Sequence, residues 1–498
     1  MLSAPSFIRF EPDARASIEE HGLNWTVLQD IFLCLRWDEP QHLLLDGCPS
    51  ASRIYQAREH RALHQSILAI KAKSFDLPCP WTGQMLSSNV SSTFETIDEN
   101  LLFLPIIYGF EAGDRSFWVV SCDLTGRPVH LFIPSLNLVV YELSLDRAKR
   151  INNGIEKNLA GLERRRREAP SITPKVVAVI DMVTNYGHQM INHLSGIDLL
   201  KKHDMLESVD EYWLCGTTFF GPTDDLFPEL RGKVLSFRNK VELLEHMRGQ
   251  QVLAVRVGSN CFHEQTRARI LRYAHSRYAF PTIADRFPIV AVSIRTGGRI
   301  CANLDELVAA TYAALHQRFP SVGFIIDGWV FAETQLISHS NVATSLDSRY
   351  STKIREELAA AEYSLRLIPR TAVVRNLIGR SILESIVGLL DADAYIAHVG
   401  TLQHKLAFFS AIKGLAHGPT SQLSQIDSGA FQAEVGFGPT YPPPASVEDI
   451  PSATNRGPFF FDYRIKNVQA FASELLPLIS DLKPGKERSD DPLSDHPR

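Results

Sequence analysis

Short apolar strands alternating with amphipathic helices predict an α/β fold: two facing α/β lobes preceded by an α+β amino-terminal domain. Three observations carry this. From Lys175 onward the apolar runs VVAVIDMV (176–183), QVLAVRV (251–257), PIVAVSIR (288–295), VGFIIDG (322–328) and AYIAHVG (394–400) are continuous, as in parallel sheets buried on both faces. Helical patterns over 187–203, 263–278, 304–318, 352–362 and 379–390 separate them, the alternation of parallel α/β units. The region spans about 300 residues, more than one small unit needs, with a natural cut near Pro281–Pro288. The lobes are therefore expected over 175–285 and 286–482.

The amino-terminal region, 1–145, reads differently. Apolar residues at three- and four-residue spacing predict helices over Ala16–Leu35 and Ser52–Lys73. After the turn-rich CPWTGQ (79–84), short β-like runs follow at Leu101–Tyr108, Ser116–Cys122, Val129–Ile133 and Leu136–Leu143, which suits an antiparallel meander. A polar helix over about 144–168 then leads through Pro170 and Pro174 into the first lobe, so 146–174 is read as a linker. Its run Arg164–Arg167 suits contact with nucleic acid or an anionic membrane or, more simply, a solvated face. The segment 483–498 has three prolines and almost no apolar residues, so disorder is expected there.

Composition bounds the function. The chain of 498 residues carries 51 Lys+Arg against 56 Asp+Glu, a net charge of −5, which argues against a nucleic-acid partner because gripping phosphates needs a basic excess. No window approaches the ~18 apolar residues of a membrane span. The first twenty residues lack a basic region followed by an apolar core, so a signal peptide is not expected. Seven scattered cysteines without a CxxC read as reduced thiols, neither a disulfide frame nor a zinc site. The expected location is the cytoplasm, with the inner face of the membrane as the place where the four arginines would act.

Three polar groups follow apolar strands. In DMVTNYGHQMINH (181–193), Asn185, His188 and Asn192 fall at i, i+3 and i+7 on one helical face, with Tyr186 beside them. His188, or Asp181 at the strand end, is the candidate general base; a capped structural histidine is the plain alternative. In SIRTGGRICANLDEL (293–307), Arg295 ends a buried strand, Gly297-Gly298 permits a tight turn, Arg299 is a second cation, and Asn303 is placed to cap the next helix. Two guanidiniums there suit a phosphate or carboxylate; the alternative is bridging to an acid such as Asp327. In AYIAHVGTLQHK (394–405), His398, Gly400, Thr401 as helix cap, His404 and Lys405 gather at a helix start, where cations are unfavourable unless an anion is bound. Glu384 is placed to reach a ribose, although a surface glutamate is equally ordinary.

Absences narrow the chemistry. There is no GxxxxGK[ST] loop, no GxGxxG after a first strand, no GxSxG and no HExxH. The one DxD, Asp391-Ala392-Asp393, sits in an apolar helix-to-strand corner. The expected site therefore uses arginine, histidine and helix amides, with no metal and no resident cofactor.

Taken together these residues resemble the two-lobed (GT-B) glycosyltransferases, and within them family 61, which includes plant xylosyl- and arabinosyltransferases and protein O-linked N-acetylglucosamine transferases. The family's Asn-aromatic-Gly-His segment resembles Asn185-Tyr186-Gly187-His188. Its Arg…Arg…Asn-acidic-Glu-Leu pattern resembles Arg295, Arg299, Asn303 and Asp305-Glu306-Leu307. Its helical glutamate, Ala-Asp pair and His-Gly turn resemble Glu384, Ala392-Asp393 and His398-Val399-Gly400, here with Val399 inserted. The likeness covers about 175–415. It implies two Rossmann-like lobes, the carboxyl-terminal one holding a nucleotide sugar and the other a glycan or other hydroxyl acceptor, and inverting transfer. Two alternatives stay open: a polysaccharide pyruvyl transferase using phosphoenolpyruvate, and a non-catalytic carbohydrate- or nucleotide-binding protein.

Overall fold

The computed structural model describes residues 5–34, 55–93, 104–123, 126–168, 173–180, 186–216, 218–248, 250–259, 262–333, 348–410, 412–427, 439–451 and 460–480. Asp181, Asn185 and the segment 483–498 lie outside them.

The amino-terminal region builds a six-stranded sheet. Its strands are β1 (Ser6–Arg9), β4 (Ser91–Ser92), β5 (Ile106–Ala112), β6 (Arg115–Ser121), β7 (Pro128–Ile133) and β8 (Leu138–Tyr141), in the order β1-β8-β7-β6-β5-β4. Pairing is antiparallel from β8 to β4, as the meander required, while β1 adds to β8 in parallel. β2 (Phe75–Pro78) and β3 (Met85–Ser88) form a separate hairpin. The expected first helix is two, Arg15–Glu20 and Trp25–Leu33. Gly22 turns at φ 75°, and Asn24 caps the second helix by accepting from Val27 N–H at 3.3 Å.

The polar helix Leu145–Glu168 is not a solvated linker. Ala148, Ile151, Ile155 and Leu162 recur on one face and pack onto Val120, Val129 and Val139 of the sheet. Two of its four consecutive arginines are engaged: Arg165 donates to the Arg248 carbonyl at 2.6 Å, and Arg166 pairs with Glu111 at 2.6 Å. Arg164 and Arg167 are exposed. Among the described residues no helix is long and apolar enough to cross a membrane.

Two wholly parallel sheets follow. The first comprises β9 (Lys175–Ile180), β10 (Glu211–Cys215), β11 (Val234–Phe237) and β12 (Val252–Arg256), ordered β11-β10-β9-β12. The second comprises β13 (Ile289–Ser293), β14 (Gly323–Asp327), β15 (Val373–Asn376), β16 (Ala394–His398) and β17 (Lys413–His417), ordered β15-β14-β13-β16-β17. A last antiparallel pair, β18 (Val447–Ile450) and β19 (Asp462–Ile465), lies beyond it. In both parallel sheets the strand that comes first in sequence is central, and the fourth lies on its opposite side from the second and third. The order reverses between β9 and β12, and again between β13 and β16. At such a reversal successive loops leave the carboxyl ends in opposite directions and open a crevice between them.

The regions share their interior. One apolar cluster runs from Leu28 and Phe110 through Val177 and Leu253 to Ile386 and Phe408. Ser91 Oγ donates to the Val252 carbonyl at 3.1 Å and accepts from Ala254 N–H at 2.8 Å, and Tyr108 donates to the Ala254 carbonyl at 2.8 Å. These bonds satisfy the edge strand β12 from the amino-terminal sheet. Between the two parallel sheets, Phe262 packs on Phe408 and Phe409 with ring centroids 5.1 and 5.5 Å apart.

Candidate functional site

The site assembles at the carboxyl ends of β13 and β16. Ser293 ends β13 and His398 ends β16; Ser293 Oγ accepts from His398 N–H at 2.8 Å and lies 3.1 Å from His398 Nδ1. The strands are thus tied where their loops diverge. The first loop carries Arg295 and Arg299. Gly298 and Arg299 adopt φ of 62° and 60°, so the chain doubles back and Arg295 Nε donates to the Gly298 carbonyl at 2.8 Å. Opposite-side anchors hold the turn: Ile300 N–H donates to Asp462 Oδ1 at 2.7 Å, and Ala302 N–H to the Tyr463 carbonyl at 2.8 Å. A non-glycine residue at positive φ costs about 1–2 kcal/mol, so these anchors over-determine the turn.

The second loop turns at Gly400, which occupies φ 108° and ψ −149°, backbone space that side chains essentially exclude. Gly400 is the cap of the helix Thr401–Phe409, so Thr401 is its first residue and not its cap; the Thr401 side chain lies outside what is described. Arg299 Nη1 stands 3.7 Å from where a Gly400 Cβ would be. The arginine turn and the helix start are therefore neighbours, as two of the sequence motifs required.

Burial and mutual repulsion set the electrostatics of the two arginines. Burial pulls Arg299 down to about 10, and the charge of Arg295 adds to that. Arg295 is likewise lowered, chiefly by burial. Among the described residues neither arginine is in an ion pair, and Arg299 Nε is buried without a hydrogen-bond partner. Asp327, the acid named as the alternative partner of the arginines, is bound instead by Lys405 and Ser385. His398 is 2% exposed and held well below its ordinary value, first by burial, then by His417, Arg295 and Arg299. Its Nε2 is buried with no partner. Two guanidiniums and a buried imidazole nitrogen thus lie close together with no ion pair among the described residues, although the charge of Glu357 partly offsets the cost at Arg295.

Lys405 requires a correction. It does not face the crevice: Nζ lies 2.5 Å from Asp327 Oδ1 and 3.0 Å from Ser385 Oγ, and both members of the pair are fully buried. Its position one turn into the helix points it down onto the end of β14, where an acid is waiting. The anion that permits a lysine at this helix start is a protein carboxylate. Glu384 sits in the first turn of the helix Ile382–Leu389 and pairs with Arg380 at 3.0 Å. Asn303 precedes its helix but does not cap it. Its amide donates to the Ile465 carbonyl at 2.9 Å and accepts from Ile465 N–H at 3.1 Å, fastening the helix to β19.

The first parallel sheet contributes from its own reversal. Tyr186, just beyond β9, is buried among Phe219 and Phe220 and is raised well above its ordinary value, mainly by burial and then by Asp327, with Arg295 opposing. Its hydroxyl therefore senses the second sheet's charges. His188 is exposed, and its Nδ1 lies 3.0 Å from Asn192 Oδ1. His404 stacks on Phe408 and is lowered to about 4, first by burial and then by His188. His188 and His404 thus meet across the two sheets. His193 is buried and lowered to about 3, first by burial and then by Arg256 and His188, so it lies close enough to sense His188 despite the spacing that suggested another face.

Sequence reasoning did not find Ser293, His417 or Tyr463. His417 Nδ1 lies 2.6 Å from the Tyr463 hydroxyl, and its ring centroid is 4.5 Å from that of His398. Tyr463 comes from a strand whose pairing nothing nearby in sequence announces. A surface groove of about 790 Å3 is lined by Asn303, Glu306, Arg464 and Lys466; it includes two residues of the second sequence motif but neither Arg295 nor Arg299.

No protein-family model matches this chain, and no curated protein matches it either.

Proposed function

We propose that this protein is a metal-independent glycosyltransferase that moves a sugar from a nucleotide-activated donor to a hydroxyl of a glycan or other acceptor. In this reading the two parallel sheets are the cores of facing Rossmann-like lobes of the GT-B kind. The carboxyl-terminal lobe holds the donor and the region 175–285 presents the acceptor.

One observation carries the reading: Arg295 and Arg299, unpaired by any described carboxylate, stand beside the glycine-capped start of the helix Thr401–Phe409. Guanidiniums and open helix amides bind phosphate oxygens and need no metal to do so. The position, at a strand-order reversal, is where such sheets take nucleotides.

In the proposed reaction the acceptor oxygen attacks the anomeric carbon while the bond from that carbon to the diphosphate oxygen breaks. The diphosphate leaves with the electron pair and is held by Arg295, Arg299 and the helix start. The acceptor proton passes to His188 (or to Asp181). A single base and a single displacement invert the anomeric centre. Preorganised charge of this kind supplies about 3–4 kcal/mol per group removed.

The test is transfer or hydrolysis of labelled nucleotide sugars by the full chain, with Arg295→Ala beside it. Turnover lost in the variant is the expected result. An Arg295→Ala protein with full activity overturns the donor site; phosphoenolpyruvate as the accepted donor, or binding without turnover, would assign the protein to one of the two alternatives.

A further inference from the structure

The hydrogen bonds around His188 decide which of its nitrogens is basic. Asn192 meets the Ser259 carbonyl through its side chain, and a carbonyl only accepts, so the Asn192 nitrogen Nδ2 faces it. Oδ1 is then turned to His188 Nδ1 at 3.0 Å, and that oxygen likewise only accepts. Nδ1 must carry the hydrogen, which leaves Nε2 as the basic nitrogen of the neutral ring.

The arrangement is rigid. Asn192 is 3% exposed and lies in the π-helical turn Gln189–Leu194. Its own carbonyl accepts from Ser259 N–H at 2.9 Å, so Asn192 and Ser259 clasp each other twice. Ser259 is fixed in turn at the carboxyl end of β12, its Oγ lying 3.3 Å from His263 Nε2. π-Turns of this kind occur mostly where a helix is shaped for a site.

We infer that Asn192 is a positioning residue: it does not touch the acceptor but holds His188 in the Nδ1–H tautomer, with Nε2 presented to take the acceptor's proton. This rests on His188 being the base in the reaction proposed above. Asn192 plays the orienting part that a carboxylate plays beside many catalytic histidines, but without a charge, so it fixes the tautomer without making the imidazolium easier to form. Among the described residues, the titratable groups coupled to His188 include His193 on its own helical stretch, with Arg256 beside His193, and His404 from the helix Thr401–Phe409. Both neighbouring histidines are lowered by burial, His193 to about 3 and His404 to about 4, so both are neutral at pH 7.

The test labels the histidines of the full chain with 15N and reads the tautomers by long-range proton–nitrogen correlation, with His188→Gln identifying the signal. His188 should be protonated on Nδ1 in the unsubstituted protein and should move toward Nε2–H in Asn192→Leu. Asn192→Asp should keep Nδ1–H and raise the His188 midpoint by about one pH unit, because a carboxylate favours the imidazolium. In the transfer assay Asn192→Leu should lower kcat about 10²-fold, the low end of what a general base supplies, with the acceptor KM within about twofold. Asn192→Asp should instead shift the acidic limb upward. His188 found as Nε2–H in the unsubstituted protein, or an unchanged tautomer in Asn192→Leu, overturns the inference. Should Asn192→Leu not fold, the midpoint in Asn192→Asp decides. The spectrum needs no turnover, so failure of the transferase reading is seen in the assay alone.

Discussion

Arg299 holds Nη1 3.7 Å from the point where a Cβ on Gly400 would stand, so two loops from different strands close on one spot. That distance is an ordinary van der Waals contact; a methyl group at 400 would not evict the arginine. The backbone is what resists, since φ 108° with ψ −149° belongs to glycine. Gly400→Ala should cost about 1–3 kcal/mol in urea unfolding and, by twisting the helix start, weaken nucleoside diphosphate binding about tenfold. Gly297→Ala is the control: it is exposed and meets only Lys353 Nζ at 3.4 Å. It should change neither.

The two arginines repel each other, and among the described residues neither is in an ion pair. Removing one should therefore not weaken the empty protein. Arg299→Met is expected to match or exceed the parent in melting temperature without ligand, while losing the stabilisation that a nucleoside diphosphate confers by mass action. Each lost charge-assisted contact is worth about 1.5–3 kcal/mol, or roughly a 10–100-fold rise in Kd. Arg299→Lys should recover little of it, because an ammonium cannot make the planar two-pronged contact. An arginine serving structure alone would show the opposite pattern, with lower stability and unaltered binding.

Lys405 and Asp327 form a fully buried pair, and such pairs are costly to break from one side. Lys405→Met should cost about 3–5 kcal/mol by leaving a bare carboxylate inside. The double variant Lys405→Met/Asp327→Leu should regain most of that, and a double-mutant cycle in urea measures the coupling. A lysine whose work is binding phosphate would instead leave stability unchanged and alter affinity.

The parallel sheets were legible because their strands, β9, β12, β13 and β16, are unbroken apolar runs, and the helices between them carry their own period. β11 (VLSF) and β15 (VVRN) were not read: both are short edge strands with mostly half-exposed residues, so burial leaves no run to see. The arginine turn was legible as a turn, since a diglycine after a buried strand permits the chain to double back, as Gly298 and Arg299 do at positive φ. The role of Lys405 was not. Residue type and a helix start suggest a phosphate ligand, but whether such a lysine points up or down depends on what ends the neighbouring strand. Asp327 supplied that answer from 78 positions away. His417 and Tyr463 were missed for the same reason: their meaning comes from register between distant strands, not from local pattern.

Buried histidines give the protein a defined acid limit. His130, His193, His398 and His417 are each at most 3% exposed, and burial is the leading cause that lowers all four, the first, second and fourth to about 3. The unfolded chain takes up a proton at each near pH 6.5, whereas the folded one does not until far lower. Stability from these groups is therefore complete above pH 6.5 and is lost as the pH falls toward 3. The slope is about 1.4 kcal/mol per pH unit for each histidine, and all four act together. The urea midpoint should accordingly fall steeply from pH 6.5 to pH 5, before most carboxylates titrate. His130→Met, at a β7 position remote from the candidate site, should make that slope shallower by about one proton's worth. A midpoint that stays level from pH 6.5 to 5 would mean that these imidazoles bind protons in the folded state, and His398 could then meet an anion as a cation.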